Sequence, residues 1–399
     1  MTPDRHIAAA DLVALLPGEE ITDVVRGPVG NGQETWFVSV ADGPDLVVRR
    51  TAESGPLDWT DRGSEYRALQ AVRDTPIPTP EPLWLEPEGG RLGRAAFAMT
   101  RLPGDPLRRE GQEVRDRIAA QLGALLAKLH RLGPVDLGDG LPGSSAGATR
   151  SELARWRRQY EDRRRGSVPL MGALLAWLEA RVPESDRPAT LLWGDAGPHN
   201  SLHVDGEITG LLDWELAHNG DPLEDLGGAL WAVELVADPE ITVAAYEAES
   251  GSAVDRDALR WFTVFASVNR GVMVVNGATN WIEGASRSQN HAGLGLQFLR
   301  EILRQAARQA GWGSGPPPTP APESPASTDD LRPRPDPTEI MRGVAAFLDE
   351  EVLPATEASV LRRGLKTAAA LLQTAALRSE VEPAVAAERD ERTRAVLDD

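Results

Sequence analysis

Strand-like runs dominate the start of the chain, and helical spacing dominates its middle. After a short helical stretch at 7–16, β-branched and apolar runs at 21–25, 35–40 and 46–48 predict three strands, the third ending at Arg49-Arg50. Residues 64–72 predict a helix, and 73–90 are Pro-rich and loop-like apart from a short strand at 83–85. A strand at 95–100 then meets a break at Leu102-Pro103-Gly104-Asp105-Pro106. From there Ile118, Leu122, Leu125, Leu126 and Leu129 recur at helical spacing within 113–131. Further helices are predicted at 151–160, 169–181, 223–236, 240–248, 255–277 and 291–310. Residues 313–337 are dense in Pro, Gly, Ser and Thr and predict a flexible linker. The tail is helical again, with one stripe of Ile340, Val344, Phe347 and Leu348 and an Ala-rich helix near 359–378. No internal repeat is present.

One segment interrupts this helical region and carries candidate chemistry. Leu191-Leu192-Trp193-Gly194-Asp195-Ala196-Gly197-Pro198-His199-Asn200 is followed by Leu211-Leu212-Asp213-Trp214-Glu215. Between them, apolar runs at 202–204 and 208–212 flank Asp205-Gly206, a strong hairpin signal. A hairpin brings its two ends together, so the oxygen-bearing side chains of Asn200 and Asp213 can reach one hard cation. Mg²⁺ suits them, because it keeps much of its coordination for water and phosphates. Asp195 is left to receive the proton of an attacking hydroxyl. An acidic residue, an Asn five positions on and a second Asp after a hairpin are the arrangement of a kinase catalytic loop. Singly each residue has a structural reading as a turn or cap; together with the hairpin they are specific.

Composition bounds the rest. The 399 residues suffice for two or three domains, and the formal net charge of −19 argues against a nucleic-acid partner. That acidity is assigned to solubility rather than to a cationic substrate. Arg163 to Arg165 follow Glu161 and Asp162 and read as a solvated helix face. With no cysteine, disulfides, thiolate zinc sites and cysteine nucleophiles are excluded. No signal core or membrane-length apolar run occurs, which makes a cytoplasmic protein with no membrane partner the default. Lys128 and Lys366 are the only lysines.

With Trp193-Gly194-Asp195, Asn200, Asp213-Trp214-Glu215, Gly220-Asp221-Pro222 and Asp225-Leu226 in hand, the chain resembles the aminoglycoside phosphotransferase and choline kinase-like family of small-molecule kinases. More closely, it resembles the subgroup related to the kinase domains fused to acyl-CoA dehydrogenases. The resemblance covers about residues 15–310, and the tail resembles an uncharacterised helical domain appended to such kinases. It implies an α+β, two-lobed protein kinase-like fold: an antiparallel-sheet lobe at 1–101, a helical lobe at 102–312, the linker at 313–337 and a small all-α domain at 338–399.

Carried over, Asp195 is the catalytic base, and Asn200 and Asp213 hold Mg²⁺. Asp221 and Asp225 brace the loop and the following helix, and Trp193, where His is commoner, packs beneath the loop. Gly30 and Gly32 let backbone N–H groups approach phosphates. Arg49, at the place of the usual Lys, pairs with Glu65 on the next helix, although an arginine fork is not equivalent to an ammonium. Met99 to Leu102, with Thr100 and Leu102 as candidates, form a hinge whose backbone reads the purine, so ATP is the donor and GTP stays open.

Gly143-Ser144-Ser145-Ala146-Gly147 fits a nucleophile-elbow pattern but lacks the preceding strand. His199 and His203 lie four apart, but Pro198 argues against a helical zinc pair, and His130 reads as a capping or packing residue. The expectation is an ATP-dependent O-phosphotransferase acting on a small hydroxylated metabolite such as a hydroxyacyl-CoA, before an aminoglycoside-type antibiotic. The alternative is a catalytically weak or inactive nucleotide-binding module. Helical insertions near 140–185 and 255–295 are expected to shape the acceptor pocket, and the tail stripe suggests a homo-oligomer.

Overall fold

The computed structural model describes residues 20–27, 33–52, 59–166, 168–185, 187–286 and 298–312, with isolated positions 7, 11, 12, 15, 16, 55, 57 and 291. Gly30, Gly32 and the stretches expected to be a linker (313–337) and a helical domain (338–399) lie outside the described residues.

Five strands form one antiparallel sheet in the order β1-β2-β3-β5-β4. They are β1 (Ile21–Arg26), β2 (Gln33–Val40), β3 (Leu46–Thr51), β4 (Pro82–Glu86) and β5 (Ala96–Thr100), with helix α1 (Arg62–Val72) between β3 and β4 in sequence. Asp61 caps α1 by accepting from the Ser64 N–H at 2.9 Å. Alternation sorts the sheet into two faces. Trp36, Val48 and Ala98 lie opposite one another across β2, β3 and β5, and pack with Ile7, Leu12 and Leu16 in one core. Phe97 points the other way, into the larger core that includes Ala68, Leu69 and Val72 of α1.

That parity decides the two arginines ending β3. Arg49 lies opposite Phe97 and shares its face toward α1. Arg50 takes the opposite face, stacks 4.7 Å from the Trp36 ring centroid and donates from Nε to Glu34 at 2.7 Å.

The second lobe is helical. A two-residue strand β6 (Asp105–Pro106) leads to α2 (Gln112–His130), α3 (Ser145–Arg163) and α4 (Pro169–Glu179). After the strands comes a run of α5 (Pro222–Val233), α6 (Pro239–Ser250), α7 (Arg256–Ile282) and α8 (Leu299–Gln309). The 27-residue α7 is central, packing against α3, α4, α5 and α8. Between α4 and α5 lie β7 (Thr190–Leu192), the hairpin β8 (Ser201–Val204) and β9 (Glu207–Leu211), and β10 (His218–Gly220), which pairs with β7. β6 pairs with β8, tying the interlobe connection to the hairpin.

The sequence-based expectations hold for most elements and miss a few. Neither β6 nor the β7–β10 pair was expected, because runs of two or three residues carry no periodicity. α3 starts six residues before the expected 151, at the discounted serine cluster. Ser144 is its N-cap, accepting from the Gly147 N–H at 3.0 Å, and Ser145 donates to Asp221 at 2.9 Å. The arginines at 163–165 are not a plain solvated face. Arg163 and Arg165 pair with Glu283 at the end of α7, and Arg164 lies over Tyr160.

Candidate active site

Asp195 sits in the turn between β7 and a 3₁₀ turn at Pro198–Asn200. Backbone contacts fix that turn. Gly194 has φ 86°, and an added Cβ would fall 2.1 Å from the Leu216 carbonyl oxygen, so only glycine fits. Asp225, buried on α5, accepts from the N–H groups of Trp193 at 2.7 Å and Gly194 at 2.8 Å. His130 Nε2 lies 3.2 Å from the same carboxylate, and its Nδ1 lies 3.0 Å from the Tyr246 hydroxyl. Trp193 is fully buried and donates from Nε1 to the Leu212 carbonyl at 2.8 Å. Asp221 braces the start of the following helix as expected, capping α5 through the Leu223 N–H at 3.0 Å, and it also binds Ser145 and Arg187.

The hairpin closes as its turn residues require. Asp205 and Gly206 have φ 51° and 82°, both positive, as the two central residues of a type I′ turn demand. Ser201 pairs with Leu211, and the Leu212 N–H donates to the Asn200 carbonyl at 2.8 Å. The turn thus brings Asn200 beside the residue preceding Asp213. Asn200 Nδ2 donates to Asp195 Oδ2 at 2.9 Å and to the Asp195 carbonyl at 3.0 Å. Among the described residues its amide oxygen has no partner, which lets it face a cation.

Asp213 has φ 61°, a left-handed conformation unusual for a non-glycine residue. Its side chain is about a third exposed, 37%, and Oδ1 accepts from Arg49 Nη2 at 2.8 Å. One hard carboxylate oxygen and one amide oxygen fit Mg²⁺, which needs few protein ligands. Among the described residues no cluster of three or more His, Cys, Asp or Glu suggests another metal.

From the strand lobe, Arg49 Nη1 donates to Glu65 Oε1 at 2.6 Å, so the expected strand–helix pair forms. Burial works against the charged guanidinium, yet Glu65, Asp213 and Glu215 hold its pKa above the ordinary arginine value. A second arginine, Arg62, was missed in the sequence. It is fully buried and pairs with both Glu65 and Glu215, and Gln33 donates to Glu215 at 2.7 Å. Burial and the Asp213 carboxylate push Glu215 up to about 7, against Arg49 and Arg62.

At the proposed hinge, the Thr100 N–H is taken by the Glu81 carbonyl at 3.0 Å, and the Arg101 N–H by the Asp45 carbonyl at 2.7 Å. Among the described residues the Leu102 backbone has no partner.

The second omission is Arg270 on α7. Its Nη2 donates to Asp195 Oδ1 at 2.9 Å, and the guanidinium carbon lies 4.3 Å from the Trp231 ring centroid. Burial raises the Asp195 carboxyl, but Arg270, His199 and Asn200 outweigh it and hold the group well below the usual carboxylate range. A signal for Arg270 was present. It is the lone Asp, Glu, Lys or Arg between 261 and 282, and a charge in so apolar a helix needs a partner.

A strand-rich lobe, a hinge strand and a helical lobe whose paired Asp, Asn and Asp face an Arg–Glu pair define a kinase-like phosphotransferase fold. The profile of the phosphotransferase enzyme family matches residues 23–262, and the chain belongs to that family. It is 30% identical over 216 residues to acyl-CoA dehydrogenase family member 11 of Gallus gallus, covering 50% of this chain and 27% of that protein. The chain thus spans about a quarter of the length of this relative. It is also 30% identical over 273 residues to viomycin phosphotransferase of Streptomyces vinaceus, covering 62% of this chain and 87% of that protein. Among solved structures, aminoglycoside phosphotransferase APH(4)-Ia superposes with a TM-score of 0.57 at 14% identity, over 77% of this chain and 100% of that one. Choline kinase LicA from Streptococcus pneumoniae gives 0.55 at 14%, over 76% and 96%. Among the described residues no helix is long and apolar enough to cross a membrane.

Proposed function

We propose that the protein transfers the γ-phosphoryl group of ATP to a hydroxyl of a small metabolite, with Asp195 as the base. The carrying observation is the contact chain from Asp195 through Asn200 to the hairpin end at Asp213, where Arg49 arrives from the other lobe. The acceptor hydroxyl oxygen bonds to the γ-phosphorus as the bond to the bridging oxygen breaks and ADP leaves. Asp195 takes the hydroxyl proton. Its carboxylate is ionised at neutral pH and fixed on both oxygens, so it is ready for the proton as the new bond forms.

Asn200 and Asp213 would hold Mg²⁺, which when bound neutralises triphosphate charge. Arg49 orients Asp213 and stands where phosphate oxygens arrive. Leu102, whose backbone groups have no partner among the described residues, is the better placed of the two hinge candidates to read the base; Thr100 shapes the approach through its bond to Glu81. The pairing of Arg49 with Glu65 favours catalysis over a bare binding module.

For the acceptor, the likeness to the acyl-CoA dehydrogenase relatives favours a hydroxyacyl-CoA type metabolite over an aminoglycoside, while the viomycin phosphotransferase likeness keeps antibiotics in the test panel. Asp195→Asn is expected to lower acceptor-stimulated ADP release by about 10²–10⁴-fold, the usual contribution of a positioned base, with the circular dichroism spectrum retained. Turnover within a few-fold of wild type removes Asp195 from the role of base.

A further inference from the structure

We propose that Arg270 selects acceptors that carry a carboxylate or phosphate close to the reacting hydroxyl. This rests on the assignment of Asp195 above and narrows the acceptor to a free hydroxy acid or phosphate ester, in place of the hydroxyacyl thioester that the likeness to relatives alone favours.

The Arg270 guanidinium touches Oδ1 of the carboxylate that receives the acceptor proton, so whatever presents a hydroxyl to Asp195 also meets Arg270. The arginine comes from α7 in the helical lobe and takes Oδ1 of Asp195, whereas the metal-candidate Asn200 takes Oδ2. The two oxygens thus divide between Asn200 and Arg270, which leaves Arg270 beside the acceptor hydroxyl.

The fork is built and partly uncommitted. Trp231 supports one face, and Nη1 reaches the Ala266 carbonyl at 3.3 Å. An arginine has five N–H donors. Those on Nε and the second hydrogens of Nη1 and Nη2 have no partner among the described residues, while a tenth of the side chain reaches solvent. A planar, supported fork of this kind suits a carboxylate or phosphate in bidentate contact.

Charge balance points the same way. Asp195 is the one carboxylate that opposes the buried Arg270 among the described residues. When Asp195 takes the hydroxyl proton it becomes neutral, and the guanidinium loses its counter-charge just as the phosphoryl group moves. An anion fixed to the acceptor supplies a replacement, whereas an ammonium at that place adds a second cation. The net charge of −19 does not reverse this preference, because surface charges are screened beyond about 8 Å at physiological salt and Arg270 lies at the reacting atoms.

The test uses a matched series on one skeleton: 3-hydroxybutyrate, its amide and 4-amino-2-butanol, with glycerol 3-phosphate against glycerol as the phosphate arm. Each is titrated calorimetrically into the full chain holding magnesium and a non-hydrolysable ATP analogue, and each is assayed for ADP release with ATP. The anions are expected to bind at least tenfold tighter than their neutral counterparts, with the amine weakest. The stronger arm tells carboxylate from phosphate. Arg270→Gln is expected to abolish the difference, and Arg270→Lys to retain part of it.

Binding blind to charge, preference for the amine, or an anion preference that survives in Arg270→Gln overturns the inference. Should Arg270→Gln fail to fold, the wild-type series decides by itself. A charge preference without any ADP release in the wild type, or with Asp195→Asn fully active, indicts the base assignment instead, so the two failures are distinguishable.

Discussion

Asp225 touches no substrate in the proposed reaction, yet two successive backbone N–H groups end on its carboxylate and set the direction of Asp195. The carboxylate is buried, so truncating it strands both donors and His130 in the core. Asp225→Ala is therefore expected to cost about 3–5 kcal/mol, the range for breaking a buried, hydrogen-bonded charge. Asp225→Asn keeps one acceptor oxygen and should cost less. Urea unfolding of both variants checks the order, and a loss under about 1 kcal/mol for the alanine variant would sink the bracing role. At this scale the motif residues were legible because their contacts are local: Asp195 and Asn200 are five apart, and a six-residue step beyond a two-residue turn returns the chain to them. The nearby Glu65 gives Arg62 only an ordinary i,i+3 helix pair, and Arg270 and Arg62 were not found because Asp195 and Glu215 lie 75 and 153 residues from them in sequence. Spacing rules do not reach that far; only the isolation of Arg270 within an apolar helix hinted at it.

Elements carry a second set of charges. His218 on β10 lies 3.3 Å from Glu224 on α5, with Glu152 of α3 close by, so three elements meet at one ionic cluster. Burial pulls the imidazole down, but the two glutamates outweigh it and raise His218 to about 10. An unfolded histidine titrates near 6.5. The folded state thus binds this proton more tightly, and the stability it confers is complete below about pH 6.5 and is lost as pH rises toward 10. The difference in unfolding free energy between wild type and His218→Asn is expected to shrink steadily from pH 6.5 to 9.5. A difference independent of pH over that window contradicts a protonated His218. The sequence located α5 and Asp225 within it, but not this cluster. β10 is three residues long, and its pairing with β7 depends on the whole intervening hairpin.

At the scale of the molecule, the two lobes are joined by side chains at the proposed nucleotide site. Arg49 spans Glu65 and Asp213, Arg62 spans Glu65 and Glu215, and Gln33 reaches Glu215 from β2. The two-lobed architecture was legible from the change of period after residue 100, since strand and helix patterns segregate along the chain. The interlobe ladder was not, because it depends on which face of β3 turns inward, and Arg49 and Arg50 differ there only by parity. A ligand that binds across this ladder stabilises both lobes at once. With Mg·ATP at a hundred times its dissociation constant, linkage adds about 2.7 kcal/mol to the folded state. That increment should appear as a rise in thermal midpoint that is larger with magnesium than with chelator. Asp213→Asn removes a ligand charge, and it should abolish the magnesium-dependent part of the rise while nucleotide alone still shifts the midpoint. If magnesium adds as much to the variant as to the wild type, the cation is held somewhere other than the hairpin end, and Asp213 serves only to anchor Arg49.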